Sequence, residues 1–479
     1  MNFKLRSLVA ATLAGSMMMG FGANAMADST DDILNALIAK GVLTEEEGAL
    51  LQKGRTGEKE AAAKKKESEI KASFKDGIKW ESGDKANSMS INGRVQLDSR
   101  SNDINGGTTA NTKIADTYEI RRAYLGAKGT FAKYYDFEVT IDTASSAALD
   151  VAYMNLHWWD QAQFQFGQFK MPFSLEERTS SRFIDFQERS FVNNGSLTPG
   201  KEIGVMLHGT PVTGLNYAIA LSTGQGKNTL DTDQREDGKD IVLHADANLA
   251  EMMGNKDAVM HIGASYSNGD LPPAAISTQR TEGRGLEFFQ ATAPSGTTME
   301  RTRYGLETAL AYGPVKLQGE YSEAKFEGTN ASSVSYDKSL DASYVEALWL
   351  VTGENYADAY KKGKFDRIKP KNDFNPDFKG GLGAVELGIR YSKFDATDFD
   401  TVANGAISNT PVMKATTAGT TSFTNKADAY TVGLKWIPTA NARVLLTYVK
   451  TNFDTPVIAA TGETVNDEKV LMMRTQYDF

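Results

Sequence analysis

The sequence predicts an all-β fold, a 16-stranded antiparallel transmembrane β-barrel preceded by a short N-terminal periplasmic helical segment. Apolar and polar residues alternate in runs of about ten residues from Met89 to Phe479, the length of a tilted strand that crosses a bilayer. Short turns alternate with long loops between these runs, as in outer-membrane barrels. No stretch reaches the roughly 18 apolar residues of a membrane helix.

The alternation is clear in residues 385–392. One face carries Val385, Leu387, Ile389 and Tyr391, and the other carries Glu386, Arg390 and Ser392. A soluble β-sandwich also alternates, because one face of each sheet packs on a core. Aromatic residues near strand ends, such as Tyr134, Trp158 and Trp436, favour a membrane barrel, where they form interfacial girdles.

Sixteen runs are assigned to barrel strands. They cover residues 89–98, 118–129, 135–143, 150–158, 162–168, 202–209, 214–223, 240–249, 258–267, 300–312, 314–325, 340–352, 383–394, 427–437, 443–452 and 469–479. The run 285–291 is left inside the long fifth loop, because a further strand would put the two termini on opposite sides of the membrane. The connection 353–382 is then a long periplasmic one that the pattern does not explain, and Arg367 within it is expected to lie far from the pore.

Residues 1–27 resemble a secretory signal peptide, with cleavage expected near Ala27. Lys4 and Arg6 precede an apolar run over 8–21, and the Ala25-Met26-Ala27 site follows, with Ala23-Asn24-Ala25 as an alternative. A membrane anchor competes with this interpretation, but the apolar run is short for one.

Residues 28–88 are predicted to form a periplasmic helical segment ahead of the barrel domain, 89–479. Ile33, Leu34 and Leu37 have helical spacing, and Thr44 with Glu47 forms a capping box that opens a second helix. The charged stretch 58–74 indicates a solvated helix, with a weak coiled coil between protomers as the alternative.

Composition excludes several classes of function. The formal net charge is −9, and removal of the leader with its two basic residues gives −9 − 2 = −11, so a nucleic-acid partner is not expected. Cysteine is absent, and the four histidines (His157, His208, His244 and His261) have no ligand spacing, so we expect no metal and no cofactor. None of these histidines falls in a catalytic motif, which argues against an outer-membrane hydrolase or any other enzyme.

The stretch 169–204 interrupts the alternation. It carries Lys170, Arg178, Arg182 and Arg189 among acids and phenylalanines, and it is too long for a hairpin turn. Long ordered loops are often functional. We interpret residues 169–201 as a loop that folds inward to constrict the barrel, and a surface excursion is the alternative.

The last run ends on aromatic residues. Leu471, Met473, Tyr477 and Phe479 share one face of the strand. A closed barrel must end on a paired strand, because an unpaired edge in lipid is costly. We therefore expect outer-membrane lipid around the barrel and recognition of this strand by the β-barrel assembly machinery.

Several stretches resemble the phosphate-selective porin O and P family. They are YEIRRAYLGAKG (118–129), GQFKMPFSLEERTSSRFIDFQERS (167–190), EIGVMLHG (202–209), RYGLETALAYGPVKLQGEY (303–321), LVTGE (350–354), KFDRIKP (364–370) and the terminal strand. The resemblance implies a homotrimer of 16-stranded barrels in the bacterial outer membrane. It also implies that a ladder of arginines leads small, phosphate-like anions to a constriction at the third loop.

The resemblance assigns roles to individual residues of the anion pathway. The constriction basics are Arg94, Arg121, Arg122 and Arg189, the neutral hydrogen-bonding partners are Tyr124, Ser180 and Ser181, and the wall acid facing them is Asp150. Strict alternation cannot turn both Arg121 and Arg122 inward. Arg122 shares a face with Tyr124, so Arg121 either reaches the lumen through a local bulge or extends to the membrane interface.

One position departs from the family pattern. Glu177 stands where selective members can carry a basic residue, and we expect it, with Arg182, to modulate selectivity. The sequence thus predicts a passive, anion-preferring diffusion channel. A general porin of low selectivity and a structural or adhesive barrel remain the alternatives.

Overall fold

The computed structural model describes residues 29–54, 56, 69–74, 77–105, 116–144, 148–193, 195, 197–229, 239–271, 276, 278–292, 299–329, 333–377, 379–399, 412–413, 423–458 and 464–479. The expected signal peptide, residues 1–27, lies outside this range. No described helix has the length and apolar character needed to span a membrane.

Sixteen strands form one closed antiparallel barrel. They are β1 (Ser88–Asn105), β2 (Thr117–Phe131), β3 (Tyr135–Asp142), β4 (Ala148–Trp159), β5 (Ala162–Lys170), β6 (Lys201–Val212), β7 (Leu215–Ser222), β8 (Asp240–Asn248), β9 (Ala258–Leu271), β10 (Met299–Tyr312), β11 (Val315–Thr329), β12 (Ser335–Leu350), β13 (Ala384–Asp395), β14 (Lys426–Thr439), β15 (Ala442–Ile458) and β16 (Thr464–Asp478). Each strand pairs with the next, and β16 pairs with β1 from Asp467 opposite Asn105 to Asp478 opposite Arg94. The predicted fold class is therefore confirmed, with all sixteen strands.

The alternation sorts side chains between lipid and lumen. On β10, Tyr304, Leu306 and Leu310 are exposed on the outside, whereas Arg303 and Glu307 are buried inside the barrel. The run at 285–291 is not part of this wall. It forms the strand Glu287–Thr292, which pairs with Thr278–Arg280 and Val412–Met413 in a separate sheet, so its placement inside the fifth loop is confirmed.

The N-terminal segment contains the helix Ser29–Ala39 and a second helix over 45–54, where Thr44 and Glu47 form the expected capping box. The expected helix over 58–74 is wrong at its end, since Ile70–Ser73 is a strand, and residues 57–68 lie outside the described range. The boundary at residue 88 is also too late. Ile78–Ser82 pairs with β1 from Ile78 opposite Ile91, and Lys71–Glu81 belong to the same compact unit as the barrel.

The last residue closes the barrel seam. Phe479 donates its N–H to the Gly93 carbonyl at 3.1 Å and accepts the Gly93 N–H at 2.9 Å. A Cβ on Gly93 would lie 2.5 Å from the Phe479 ring, so a larger residue at this position would have to displace that ring.

Among the connections that the structure describes, three fold into the barrel. The first is loop L3 (residues 171–200), which contains the helical turns Leu175–Arg178 and Phe191–Asn193. The second is the fifth loop, whose Phe288 ring lies 5.5 Å from Phe191. The third is the long connection at residues 351–383, here called P6, at the barrel end where β1 begins. Its Tyr356 and Phe365 form one apolar cluster with Leu175 of L3, which accounts for its length.

Candidate functional site: the L3 constriction

One edge of L3 is held to the barrel wall through two acids, Glu320 of the wall and Glu176 of the loop itself. The Glu320 carboxylate of β11 accepts the backbone N–H groups of Leu175 at 3.1 Å and Glu176 at 2.7 Å. Glu176 in turn accepts a hydrogen bond from Arg390 of β13 at 3.2 Å and from the Ser190 N–H at 3.1 Å. Buried acid side chains with hydrogen-bond partners on both the loop and the wall fix the position of a loop, because breaking either side would leave a buried polar group without a partner.

The other side of L3 faces β1, β2 and β16 through a hydrogen-bonded glutamine. Gln96 is fully buried and donates to the Ser181 carbonyl at 3.1 Å and to Gln476 at 2.6 Å. It also accepts from Arg122 Nη1 at 3.0 Å. The loop therefore crosses the lumen and is fixed at both walls.

Three arginines at this second wall have no acidic partner in the described part of the chain. Among the described residues, no carboxylate oxygen lies within 4.0 Å of a side-chain nitrogen of Arg94, Arg122 or Arg182. The Arg94 guanidinium lies 4.2 Å from the Tyr124 ring centroid and donates to Ser181 Oγ at 3.0 Å. Arg182 donates to Asn92 Oδ1 at 3.2 Å. These three residues form what we call the basic face, a concentration of positive charge without a direct ion pair among the described residues.

A β-bulge brings Arg121 into the lumen beside Arg122. Gln96 is opposite Arg122, whereas Leu97 is opposite Ile120, so Arg121 is an extra residue in β2. Its Nε donates to Glu188 of L3 at 2.9 Å. The structure thus turns both arginines inward, by the bulge rather than by extension to the interface.

Glu188 is held as a carboxylate by surrounding arginines. Burial by itself raises the pKa of Glu188, but the charges of Arg121 and Arg474 outweigh burial and hold that pKa well below its usual range. Arg474 also bonds Asp98 at 2.7 Å, so Glu188 and Asp98 are both neutralised near the basic face.

Arg189 stabilises the conformation of L3 itself. Its guanidinium donates to the carbonyls of Glu176, Glu177 and Thr179 at 3.2, 3.3 and 3.0 Å, and its Nε lies 3.2 Å from Glu177 Oε2. Lys170 lies 3.4 Å from the other Glu177 oxygen. Burial raises the pKa of Glu177, but Arg189 and Lys170 outweigh it and lower that pKa below its ordinary value. Arg189 and Glu177, both assigned to the pathway from sequence, therefore form a pair with no net charge.

The remaining expected site residues lie at the same constriction. Tyr124 donates its hydroxyl to Asp150 at 3.3 Å, and Asp150 also accepts from Lys201 at 2.6 Å. Lys227 lies 3.5 Å from the same carboxylate. Ser180 accepts the Arg182 N–H at 3.3 Å. The structure thus brings Asp150 to lysines rather than to a constriction arginine.

Several arginines inside the barrel were not predicted from the sequence. Arg301 and Arg303 of β10 contact Asp240 at 2.9 and 3.4 Å, and Arg303 is 1% exposed. Their i, i+2 spacing on a predicted strand, which turns both to one face, could have identified them. Arg443 of β15 is buried with its guanidinium 4.6 Å from the Phe183 ring centroid.

Arg367 contradicts the expectation that it lies far from the pore. Its guanidinium is 5.2 Å from the centroid of Phe183 in L3, and it bonds Asp478 at 2.5 Å. The reason is that P6 folds into the barrel, which local alternation does not reveal.

Comparison with known proteins agrees with this architecture. The family model described as phosphate-selective porin O and P matches residues 89–479. Porin O of Pseudomonas aeruginosa is 25% identical over 413 residues, covering 79% of this chain and 86% of that protein. An uncharacterized protein of Caulobacter vibrioides is 22% identical over 412 residues, covering 85% of this chain and 76% of that protein.

Among solved structures, the outer membrane channel DcaP of Acinetobacter baumannii aligns with a TM-score of 0.48 and 11% identity, covering 82% of this chain and 98% of that one. The family model matches the chain from the first barrel strand to the last residue. The chain is therefore a porin of the bacterial outer membrane and belongs to the phosphate-selective porin O and P family.

Proposed function

We propose that this porin is a passive, anion-preferring diffusion channel for phosphate and related oxyanions, and that it works as a homotrimer. The observation that carries the proposal is the basic face, where Arg94, Arg122 and Arg182 have no carboxylate within 4.0 Å in the described part of the chain. The name of its relative Porin O and the family description are consistent with phosphate as the solute.

The physical case rests on the hydration of the ion. An anion that enters a narrow passage loses part of its water shell, and guanidinium groups replace it with charge-assisted hydrogen bonds. Each site must release the ion to the next. Several arginines spaced along the barrel therefore allow conduction, whereas one strong binding site would retain the ion.

Further arginines extend the path on both sides of L3. Arg301 and Arg303 lie near the start of β10, at the end of the barrel that carries the long loops, and Arg443 lies near the start of β15 at the opposite end. Nε and Nη1 of Arg303, and Nε and Nη2 of Arg443, have no hydrogen-bond partner among the described residues. These groups leave positively charged donors inside the barrel on either side of the constriction.

A general porin of low selectivity is the second candidate, and Glu177 is the observation that favours it. This acid cancels the charge of Arg189 within L3, so fewer free cations remain at the constriction. Phosphate affinity separates the two candidates, because a general porin would pass phosphate without holding it.

The test is electrical. The purified trimer is inserted into a planar bilayer, and the reversal potential is measured in a KCl gradient, followed by chloride conductance with phosphate added. We expect a potential of the sign for anion selectivity and a chloride current that phosphate reduces at sub-saturating concentration. Cation selectivity would contradict the proposal, and anion selectivity without phosphate block would favour the general porin.

The exterior supports the expected lipid and assembly partners. Tyr304, Leu306 and Leu310 present an apolar surface to lipid, and Phe479 is seated on Gly93 at the seam. We propose that the assembly machinery reads this last strand and that three barrels associate. Migration of the unheated protein at three times the barrel mass in gel electrophoresis would support the trimer, and a monomer would exclude it.

A further inference from the structure

A cluster of two histidines and two carboxylates lies inside the barrel, away from the basic face. His244 and Asp246 are on β8, His261 is on β9 and Glu307 is on β10. All four side chains are at most 2% exposed. We call these four residues the histidine–carboxylate cluster.

We propose that this cluster is a binding site for a divalent transition metal such as Zn²⁺. The side chains come from three adjacent strands, which explains why no ligand spacing is visible in the sequence. Imidazole nitrogen and carboxylate oxygen form a ligand set that zinc takes in proteins.

The ligand atoms have spacings that suit one ion. His244 Nε2 lies 3.0 Å from Asp246 Oδ2 and 3.7 Å from Glu307 Oε1, and His261 Nε2 lies 2.9 Å from the same Glu307 oxygen. A tetrahedral zinc ion with bonds near 2.0 Å places its ligand atoms about 3.3 Å apart. The ligand atoms of His244, Asp246 and Glu307 all lie within 4.8 Å of one another, so their spacing suits one ion once the Arg178 guanidinium is displaced.

The outer hydrogen bonds orient both imidazoles. His244 Nδ1 is 2.9 Å from Ser265 Oγ, and His261 Nδ1 is 2.6 Å from the Tyr360 hydroxyl. Each ring therefore has one nitrogen fixed by a hydroxyl while its Nε2 points at the carboxylates. Histidines that bind metals are commonly held in this way by their second nitrogen.

Glu307 supplies an independent indication of a ligand. Its Oε2 is buried and has no hydrogen-bond partner in the described part of the chain. A buried carboxylate oxygen without a partner is costly, and a cation would remove that cost.

Arg178 of L3 is the cation that now contacts the same oxygens. Its Nη1 lies 3.1 Å from Asp246 Oδ2, and its Nη2 lies 2.6 Å from Glu307 Oε1. With neutral imidazoles, two carboxylates face one guanidinium and one negative charge is left over. A divalent ion would neutralise both carboxylates, so metal and Arg178 compete for the cluster.

The competition has a structural consequence. Arg178 also donates to the Gly363 carbonyl of P6 at 2.9 Å, and P6 supplies Tyr360 to His261. The cluster is thus one of the places where L3, P6 and the barrel wall meet. Metal binding there would replace the hydrogen bonds of Arg178, which link L3 to P6, with an ion held by the wall residues.

The test measures metal bound to the full-length protein in detergent. The protein is stripped with EDTA and dialysed against Zn²⁺, and bound zinc is determined by elemental analysis. We expect one zinc ion per chain for the wild type. Absence of stoichiometric zinc in the wild type would overturn the proposal without reliance on any variant.

Variants locate the site and test the competition. His244→Gln/His261→Gln should lose the bound zinc, whereas the matched pair His157→Gln/His208→Gln should keep it, because those histidines contact Asp136 and Asn155 instead. Arg178→Gln should bind zinc more tightly, by about tenfold or more, because a competing charge is removed. Equal zinc in the two double variants, or weaker binding by Arg178→Gln with normal heat-modifiable migration, would refute the assignment.

Discussion

Replacement of Arg94 by glutamine tests the basic face directly. Arg94 is 3% exposed and has no carboxylate within 4.0 Å among the described residues, so its charge is screened less than a surface charge. An anion about 4 Å away gains roughly 4 kcal/mol at an effective dielectric of 20, and about 1 kcal/mol in bulk water. Even the lower figure corresponds to about a fivefold change in an equilibrium ratio. We therefore expect Arg94→Gln to lower the anion-to-cation permeability ratio by about fivefold or more.

The assay is the reversal potential in a KCl gradient, and its control is Arg280→Gln. Arg280 lies on the fifth-loop hairpin, is paired with Glu287, and has a side chain that is 48% exposed. Salt screens such a charge beyond about 10 Å, so this variant should change the ratio by less than about twofold. Arg94→Lys should stay close to the wild type because it keeps the charge. Equal shifts in Arg94→Gln and Arg280→Gln would refute the idea that the basic face determines selectivity.

Three further predictions follow from L3, the seam and the N-terminal segment. Glu177→Gln should shift the reversal potential toward greater anion preference, because it removes the negative charge that Arg189 and Lys170 contact. The double variant Glu177→Gln/Arg189→Gln removes one charge of each sign, so its reversal potential should stay near that of the wild type. Gly93→Val should reduce the amount of folded barrel in outer membranes by immunoblot, since its side chain would meet the Phe479 ring, and an unchanged amount would exclude that clash as important. Deletion of residues 29–54 should leave single-channel conductance unchanged, whereas a deletion that extends through Ser82 removes a strand paired with β1 and should lower assembly.

The strands could be predicted from the sequence because the inward or outward direction of a side chain is a local property. The alternation of apolar and polar residues predicted all sixteen strands, and it also predicted that Arg122 faces the lumen. It could not place Arg121, because a bulge changes the register by one residue and depends on the paired strand. Side-chain direction therefore follows from the sequence only where strand pairing keeps strict alternation.

The partners of the loops could not be predicted from local pattern. Glu177 and Arg189 are twelve residues apart and meet because L3 turns back on itself. Arg367 meets Phe183 across 184 residues because P6 packs inside the barrel. The sequence positions of His244 and His261 gave no sign of a shared site for the same reason, since these residues lie on neighbouring strands and meet at Glu307. Such contacts depend on long-range packing rather than on neighbours in sequence.

The net charge of the chain, −9, does not set the sign of charge at the constriction. The acids nearest L3 are used to hold it. Glu320 accepts its backbone N–H groups, Glu176 pairs with Arg390, and Glu188 is neutralised by Arg121 and Arg474. Acids bound in this way are matched by donors within about 3 Å, so a passing ion experiences mainly the charges that have no partner. Because these acids are paired while Arg94, Arg122 and Arg182 have no acidic partner in the described part of the chain, an acidic protein can present a positive path to anions.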